Sequence, residues 1–220
     1  MKKIIFINGK KRSGKDTTAE MLQQELLKQN KTVKVLAFAD KLKDMVCEMF
    51  GISRVELDYL KNNTNVYTNS VVSNSGLGLL ELPNFRTFLD TFGNKIAKSL
   101  GGDSVWADKV LLDIENSKEE CFIISDFRFP IEINVFGTEN LLSPTNKPFK
   151  LITLQVQREG LPHSDLPSEN ALNDYVFDYI IENNSSLENL KENVSKLSGE
   201  ILKQNRSFRD LNYYERNKEK

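Results

Sequence analysis

The amino-acid sequence predicts an α/β protein with a central, mostly parallel five-stranded sheet, helices on both faces and a small lid or insertion. Three observations predict it. Short, nearly uninterrupted apolar runs recur along the chain, as strands buried on both faces require. The stretches between them carry apolar residues at helical spacing. A G-x-x-x-x-G-K segment joins the first run to the first helix.

Taken in order, Lys3–Asn8 is the first strand, and Thr17–Gln29 follows as a helix with Ala19, Leu22, Leu26 and Leu27 on one face. Val33–Phe38 and Lys41–Phe50 repeat the pair. Asn62–Leu82 is rich in Asn, Ser, Thr and Gly and has no period, so it reads as a mobile insertion. Phe85–Leu100 is helical, Cys121–Ser125 and Lys150–Val156 are strands, Phe177–Ile181 is a weaker fifth, and Leu187–Leu202 is the closing helix. Such alternation favours a parallel sheet because each crossover between neighbouring strands needs a helix. Residues 1–204 then form one domain, with 157–170 as a lid and 205–220 as a polar tail carrying Phe208, Tyr213 and Tyr214.

Lys and Arg number 30 against 31 Asp and Glu, so net charge offers nothing to a polyanion and a nucleic-acid partner is not expected. The apolar run Ile4–Ile7 is too short for a signal peptide, and no run approaches the ~20 residues of a membrane span. Two cysteines, Cys47 and Cys121, stand in apolar stretches; they read as reduced thiols and point to the cytoplasm.

The segment Gly9-Lys10-Lys11-Arg12-Ser13-Gly14-Lys15 lies where a phosphate-binding loop must lie, after a strand and at the opening of a helix. Glycines let successive N–H groups point into one concavity, the helix start adds partial positive charge, and a lysine bridges the outer phosphates. Polyphosphate is the natural occupant, contacted by Lys11, Arg12, Ser13, Gly14, Lys15, Asp16 and Thr17. Arg12 is the preferred side chain of the basic trio, because guanidinium presents a fork suited to phosphate oxygens. Asp16 stands where Ser or Thr is usual. Beside a triphosphate a carboxylate needs a cation between, so Asp16 with Thr17 is a candidate Mg²⁺ site; the alternative is that Asp16 only favours the first helical turn. The chain shows no usable N-K-x-D or D-x-x-G segment, which sets guanine-reading switches aside.

Four blocks carry a family resemblance: NGKKRSGKDTTA at 8–19, FADKLKD at 38–44, SDFRFPIE at 125–132 and IIENNSSLENL at 180–190. In this order they resemble the deoxynucleoside monophosphate kinases of large tailed bacteriophages, a P-loop nucleotide kinase family. The resemblance implies ATP as phosphoryl donor, Mg²⁺, a nucleoside monophosphate acceptor and the cytoplasm, that of the host if a phage encodes the chain. It leaves a homodimer open.

The resemblance also assigns roles. Lys43 would meet the acceptor phosphate, with a solvated helix lysine as the alternative. Arg86, Gly93, Asn94 and Trp106 would line the acceptor pocket; arginine grips phosphate in two places, glycine permits close approach, and an indole offers a flat apolar face. Trp106 has the alternative of plain core. Asp126 ends an apolar strand at the carboxyl edge of the sheet, where α/β ligand sites form, and resembles a Walker B aspartate. Arg128 can reach phosphates, and Glu132 can accept from a base or sugar or else orient Arg128; a surface ion-pair network is the alternative for the three. Arg158 is the lid arginine, which with Lys15 and Arg128 makes the catalytic set, and His163 positions the lid. The competing readings are a P-loop kinase for another small acceptor, such as phosphomevalonate or a coenzyme precursor, and a non-catalytic nucleotide-binding protein.

Overall fold

The computed structural model describes residues 1–63, 85–137 and 149–203. The expected insertion, beyond its first two residues, and the tail at 205–220 lie outside them. The described chain falls into two compact units, one of Met1–Ala37 with residues from Val110 onward, the other Phe38–Lys109.

The first unit is built on five strands: β1 Lys3–Asn8, β2 Val33–Leu36, β3 Cys121–Ile124, β4 Lys150–Gln157 and β5 Tyr179–Glu182. Their order is β2-β3-β1-β4-β5, and every neighbouring pair is parallel. Ile5 pairs with Ile123 on one side and Ile152 on the other. Ile4, Ile5, Phe6 and Ile7 are all fully buried, the physical reason for a continuous apolar run in place of alternation.

On one face, Ile5, Ile7, Ile123, Leu154 and Val156 share a core with Ala19, Leu22 and Leu26 of α1 (Lys15–Lys28) and with Leu190, Val194, Leu197 and Ile201 of the last helix, Leu187–Lys203. On the other face Phe6 meets Phe127 and Phe136 edge-on at 5.4 and 5.2 Å, the latter from the helix Pro130–Gly137. Helices therefore cover both faces.

Two of the boundaries that move have a visible cause. The second strand stops at Leu36 because Phe38, buried, opens the helix Phe38–Phe50. The fifth strand starts at Tyr179 because Phe177 packs its ring on Tyr175, centroids 4.8 Å apart, instead of joining the sheet.

The second unit packs the helices Phe38–Phe50, Arg54–Asn62 and Phe85–Thr91 around Val46, Leu57, Leu60, Phe85, Phe88 and Leu89. Ser53 and Glu56 close a reciprocal capping box at the start of the middle helix, an element not expected above although Ser53-x-x-Glu56 is the local signature of such a start. The single helix expected over Phe85–Leu100 is interrupted by a π turn, Phe92–Ile96, before Ala97–Gly101 resumes. Gly93 lies in that turn and is a poor helix former. Three further helices also went unpredicted, Val105–Asn116, Pro130–Gly137 and the short Pro167–Asn170.

Candidate functional site

Between β1 and α1 the backbone turns through Arg12 and Gly14 in the left-handed region, with φ of 69° and 93°. Gly14 is the N-cap of α1 and supplies no side-chain acceptor to its first amides, which leaves them for an anion. Three contacts explain the two glycines. A Cβ on Gly9 would meet the Ser13 Oγ at 2.4 Å and the Val156 carbonyl at 2.9 Å; a Cβ on Gly14 would meet the Asn183 Nδ2 at 2.3 Å. That Asn183 amide donates to the Ser13 carbonyl at 2.8 Å, so the end of β5 braces the loop.

Lys15, the first residue of α1, keeps 14% of its side chain exposed and sets its ammonium 3.2 Å from Asp16 Oδ2. Asp16 is largely exposed. Thr18 is buried and returns its hydroxyl to the Gly14 carbonyl at 2.9 Å, a structural contact, whereas Thr17 stays half-buried. Ser13 is buried, and its hydroxyl has no partner among the described residues. The side chains of Lys11 and Arg12 are exposed.

Beyond the end of β3 the turn carrying Asp126 and Arg128 is fixed from two sides. Phe127 N–H donates to the Ile7 carbonyl at 3.2 Å, and Asn8 donates through Nδ2 to the Phe127 carbonyl at 2.8 Å. From the other side, Glu132 Oε2 accepts the backbone N–H groups of Arg128 at 2.7 Å and Phe129 at 2.9 Å. Of the two roles open to Glu132 from sequence, its contacts are those of a residue that orients Arg128. Burial drives its pKa up to about 8, against the two backbone amides, with the Asp126 charge adding to the rise and Arg128 opposing it.

The Arg128 guanidinium donates through Nη1 to Ser168 Oγ at 3.3 Å and Glu169 Oε1 at 3.0 Å, and the other oxygen of Glu169 accepts the Lys11 backbone N–H at 2.9 Å. A carboxylate thus joins the phosphate-binding loop to the arginine. Arg158 is exposed and lines a cleft of about 490 Å³ with Gly9, Lys10, Glu169 and Asn184. His163 pairs with Asp165 at 3.0 Å, both exposed, within the segment expected as a lid.

In the second unit Lys43 pairs with Asp40 at 3.2 Å, and Arg54 binds the same carboxylate. Burial alone would raise the Asp40 pKa, but the Arg54 hydrogen bond and Lys43 overcome it and hold the carboxyl below its ordinary range. Lys61, unremarked in the sequence, is shifted down, first by burial and then by the charges of Lys43 and Arg86. These three cations share one electrostatic neighbourhood. Trp106 donates its indole N–H to the Gly93 carbonyl at 3.2 Å, which brings two predicted pocket residues together. A Cβ on Gly93 would meet Leu42 Cδ2 at 2.7 Å, so the glycine admits a neighbouring helix in its own unit. Asn94 lies in the π turn.

Among the described residues, no group of three or more His, Cys, Asp or Glu is arranged to hold a metal ion. A lone exposed carboxylate at a phosphate loop fits Mg²⁺, which such sites hold with one or two carboxylates and the substrate's own phosphates. Sequence reasoning missed Asn8, Asn183, Glu169 and Lys61. Asn183 and Glu169 stood in segments already marked, one by its family-like block and the other by the lid, but which backbone group each would meet is a matter of long-range folding.

Residues 3–72 match the family model described as deoxynucleotide monophosphate kinase. The match spans two of the four sequence blocks, those at 8–19 and 38–44, so the resemblance holds over the N-terminal third of the chain, where it supports a phosphotransferase acting on nucleotides. No curated protein matches the chain. Two solved structures of the Mycobacterium tuberculosis APS kinase CysC, one a cysteine-to-alanine mutant and one in complex with AMPPNP and APS, are each 11% identical to it. Each covers 92% of this chain and 98% of its own, with a TM-score of 0.42.

Proposed function

We propose that the chain transfers the γ-phosphoryl group of ATP to the phosphate of a deoxynucleoside monophosphate, giving ADP and the diphosphate. The observation that carries this is the uncapped, glycine-turned loop at the carboxyl edge of a parallel sheet, with Arg128 delivered from the adjacent strand and tied to the loop's own amide through Glu169. The family match over 3–72 supports the acceptor class.

In this reading Lys15, Arg128 and Arg158 act on the transferring group. Lys11, Arg12, Ser13 and Gly14 cradle the donor's phosphates. Lys43, Arg86 and Arg128 are assigned to the acceptor phosphate, Gly93, Asn94 and Trp106 to its nucleoside and Asp126 to the substrate, with Glu132 fixing the Arg128 turn. The acceptor phosphate is already ionised, so no base is needed, and rate enhancement comes from alignment and charge neutralisation. Asp16, with Thr17, would hold Mg²⁺, which supplies further neutralisation of the phosphates when bound. Among the described residues no helix is long and apolar enough to cross a membrane. The free thiols of Cys47 and Cys121 agree with a cytoplasmic setting.

ADP release measured across dGMP, dTMP and related nucleotides, and across phosphomevalonate and coenzyme precursors, tests the acceptor class. Turnover with a deoxynucleotide supports the reading. Turnover confined to a non-nucleotide acceptor overturns it.

A further inference from the structure

We propose that Glu169 is a positioning residue: its carboxylate holds the place of a phosphate group between the Lys11 amide and Arg128, and an anionic substrate displaces it to free Arg128 for the reacting phosphates. The inference rests on the proposed phosphate-binding role of the loop and adds to it what occupies that loop beforehand.

Glu169 is an acid in a lid segment, yet its side chain is only 8% exposed. Its two oxygens diverge onto two partners, each of which a phosphate would otherwise take: the Lys11 N–H at 2.9 Å and the Arg128 Nη1 at 3.0 Å. A carboxylate bridging a loop amide and a guanidinium has the charge and planar acceptor pair that such groups seek in phosphate. Ser168, on the same helical turn, adds its hydroxyl to the same guanidinium nitrogen at 3.3 Å. The turn is stiffened by its own bonds, Glu169 N–H to the Leu166 carbonyl and Ala171 N–H to the Pro167 carbonyl, both at 2.9 Å.

The carboxylate and a polyphosphate compete for the Lys11 N–H and for the Arg128 Nη1, and like charges repel. Occupancy of the loop therefore competes with the Glu169 contact, and anion affinity is reduced by the fraction of molecules in which that contact is made. The competition also couples the loop to the lid segment, because the contact that is broken is the one that ties Ser168 and Glu169 to Arg128.

The test uses the full chain and inorganic tripolyphosphate as probe, titrated by calorimetry against the unmodified protein, Glu169→Gln, Glu169→Asp, Arg128→Ala and the Glu169→Gln/Arg128→Ala pair, with far-ultraviolet circular dichroism to verify folding. Glu169→Gln is expected to tighten tripolyphosphate about tenfold, Glu169→Asp to stay near the unmodified value, and the gain to shrink to roughly twofold or less in the Arg128→Ala background. The KM for ATP should fall in parallel. If Glu169→Gln folds but binds tripolyphosphate no tighter, or the gain persists without Arg128, the proposal is overturned. Failure of the unmodified chain to bind tripolyphosphate would overturn the phosphate-loop reading itself and this proposal with it, whereas loss of deoxynucleotide turnover alone would strike only the acceptor assignment.

Discussion

The side-chain amide of Asn183 donates to the Ser13 carbonyl at 2.8 Å and occupies the space where a Cβ on Gly14 would lie, 2.3 Å away. The end of the fifth strand therefore sets the curvature of the phosphate loop. Gly14→Ala has to pay both for this collision and for a left-handed φ of 93°; we expect it to lose about 1–3 kcal/mol of stability and at least tenfold in ATP affinity. Asn183→Ala removes only the brace, with an expected loss of about 1 kcal/mol and a weaker ATP effect. Urea titration and ATP calorimetry on the two variants check the order.

Glu132 carries a pKa near 8, above its ordinary value of 4.5, so the native state holds a proton that the unfolded chain releases. The stabilising contribution is full below pH 4.5 and is lost as pH rises through about 8. Glu132→Gln keeps an acceptor for the Arg128 and Phe129 amides and removes the titration. Its stability relative to the unmodified chain should rise between these values, by at most about 1.4 kcal/mol per pH unit. Urea midpoints at pH 5, 6, 7 and 8 read the difference; a constant offset would contradict the assignment.

The chain has one tryptophan. Its indole is bonded to Gly93, on the π turn, in the region assigned to the acceptor's nucleoside. A deoxynucleoside monophosphate is expected to change Trp106 emission saturably, while ATP alone produces a smaller change. Trp106→Phe should lose about 1 kcal/mol with its hydrogen bond and raise the acceptor KM more than the ATP KM.

The charges of Lys43 and Arg86 both act on Lys61. Lys43→Gln or Arg86→Gln should raise the KM of the acceptor about tenfold or more and leave the ATP KM within about twofold. Lys61→Gln should give a smaller rise of the same kind. Initial-rate kinetics with each substrate varied distinguishes this from a general loss of activity.

How far the sequence reached follows from what each residue's job depends on. The strand bounds Lys3–Asn8 were legible because a two-sided buried strand leaves an apolar run and nothing else. The loop was legible because Gly14 answers a local need, a left-handed φ of 93° at the start of a helix. Helix Phe85–Leu100 looked continuous because periodicity does not register a π turn, and the helix Arg54–Asn62 escaped because nine residues with only Leu57 and Leu60 buried carry a weak apolar period. Phe177 was read as strand since ring packing on Tyr175 and β-pairing draw on the same residue type. Glu169 and Asn183 were out of reach, because their partners lie 158 and 170 residues away along the chain.

The most direct test of the account is transfer of label from [γ-³²P]ATP to dGMP and dTMP, with products separated chromatographically, for the unmodified chain and for Lys15→Ala. Labelled deoxynucleoside diphosphate is expected from the unmodified chain, and a rate lower by a factor of about 100 or more for the variant. Label that never reaches a deoxynucleotide, or that reaches it equally fast without the Lys15 ammonium, would contradict it.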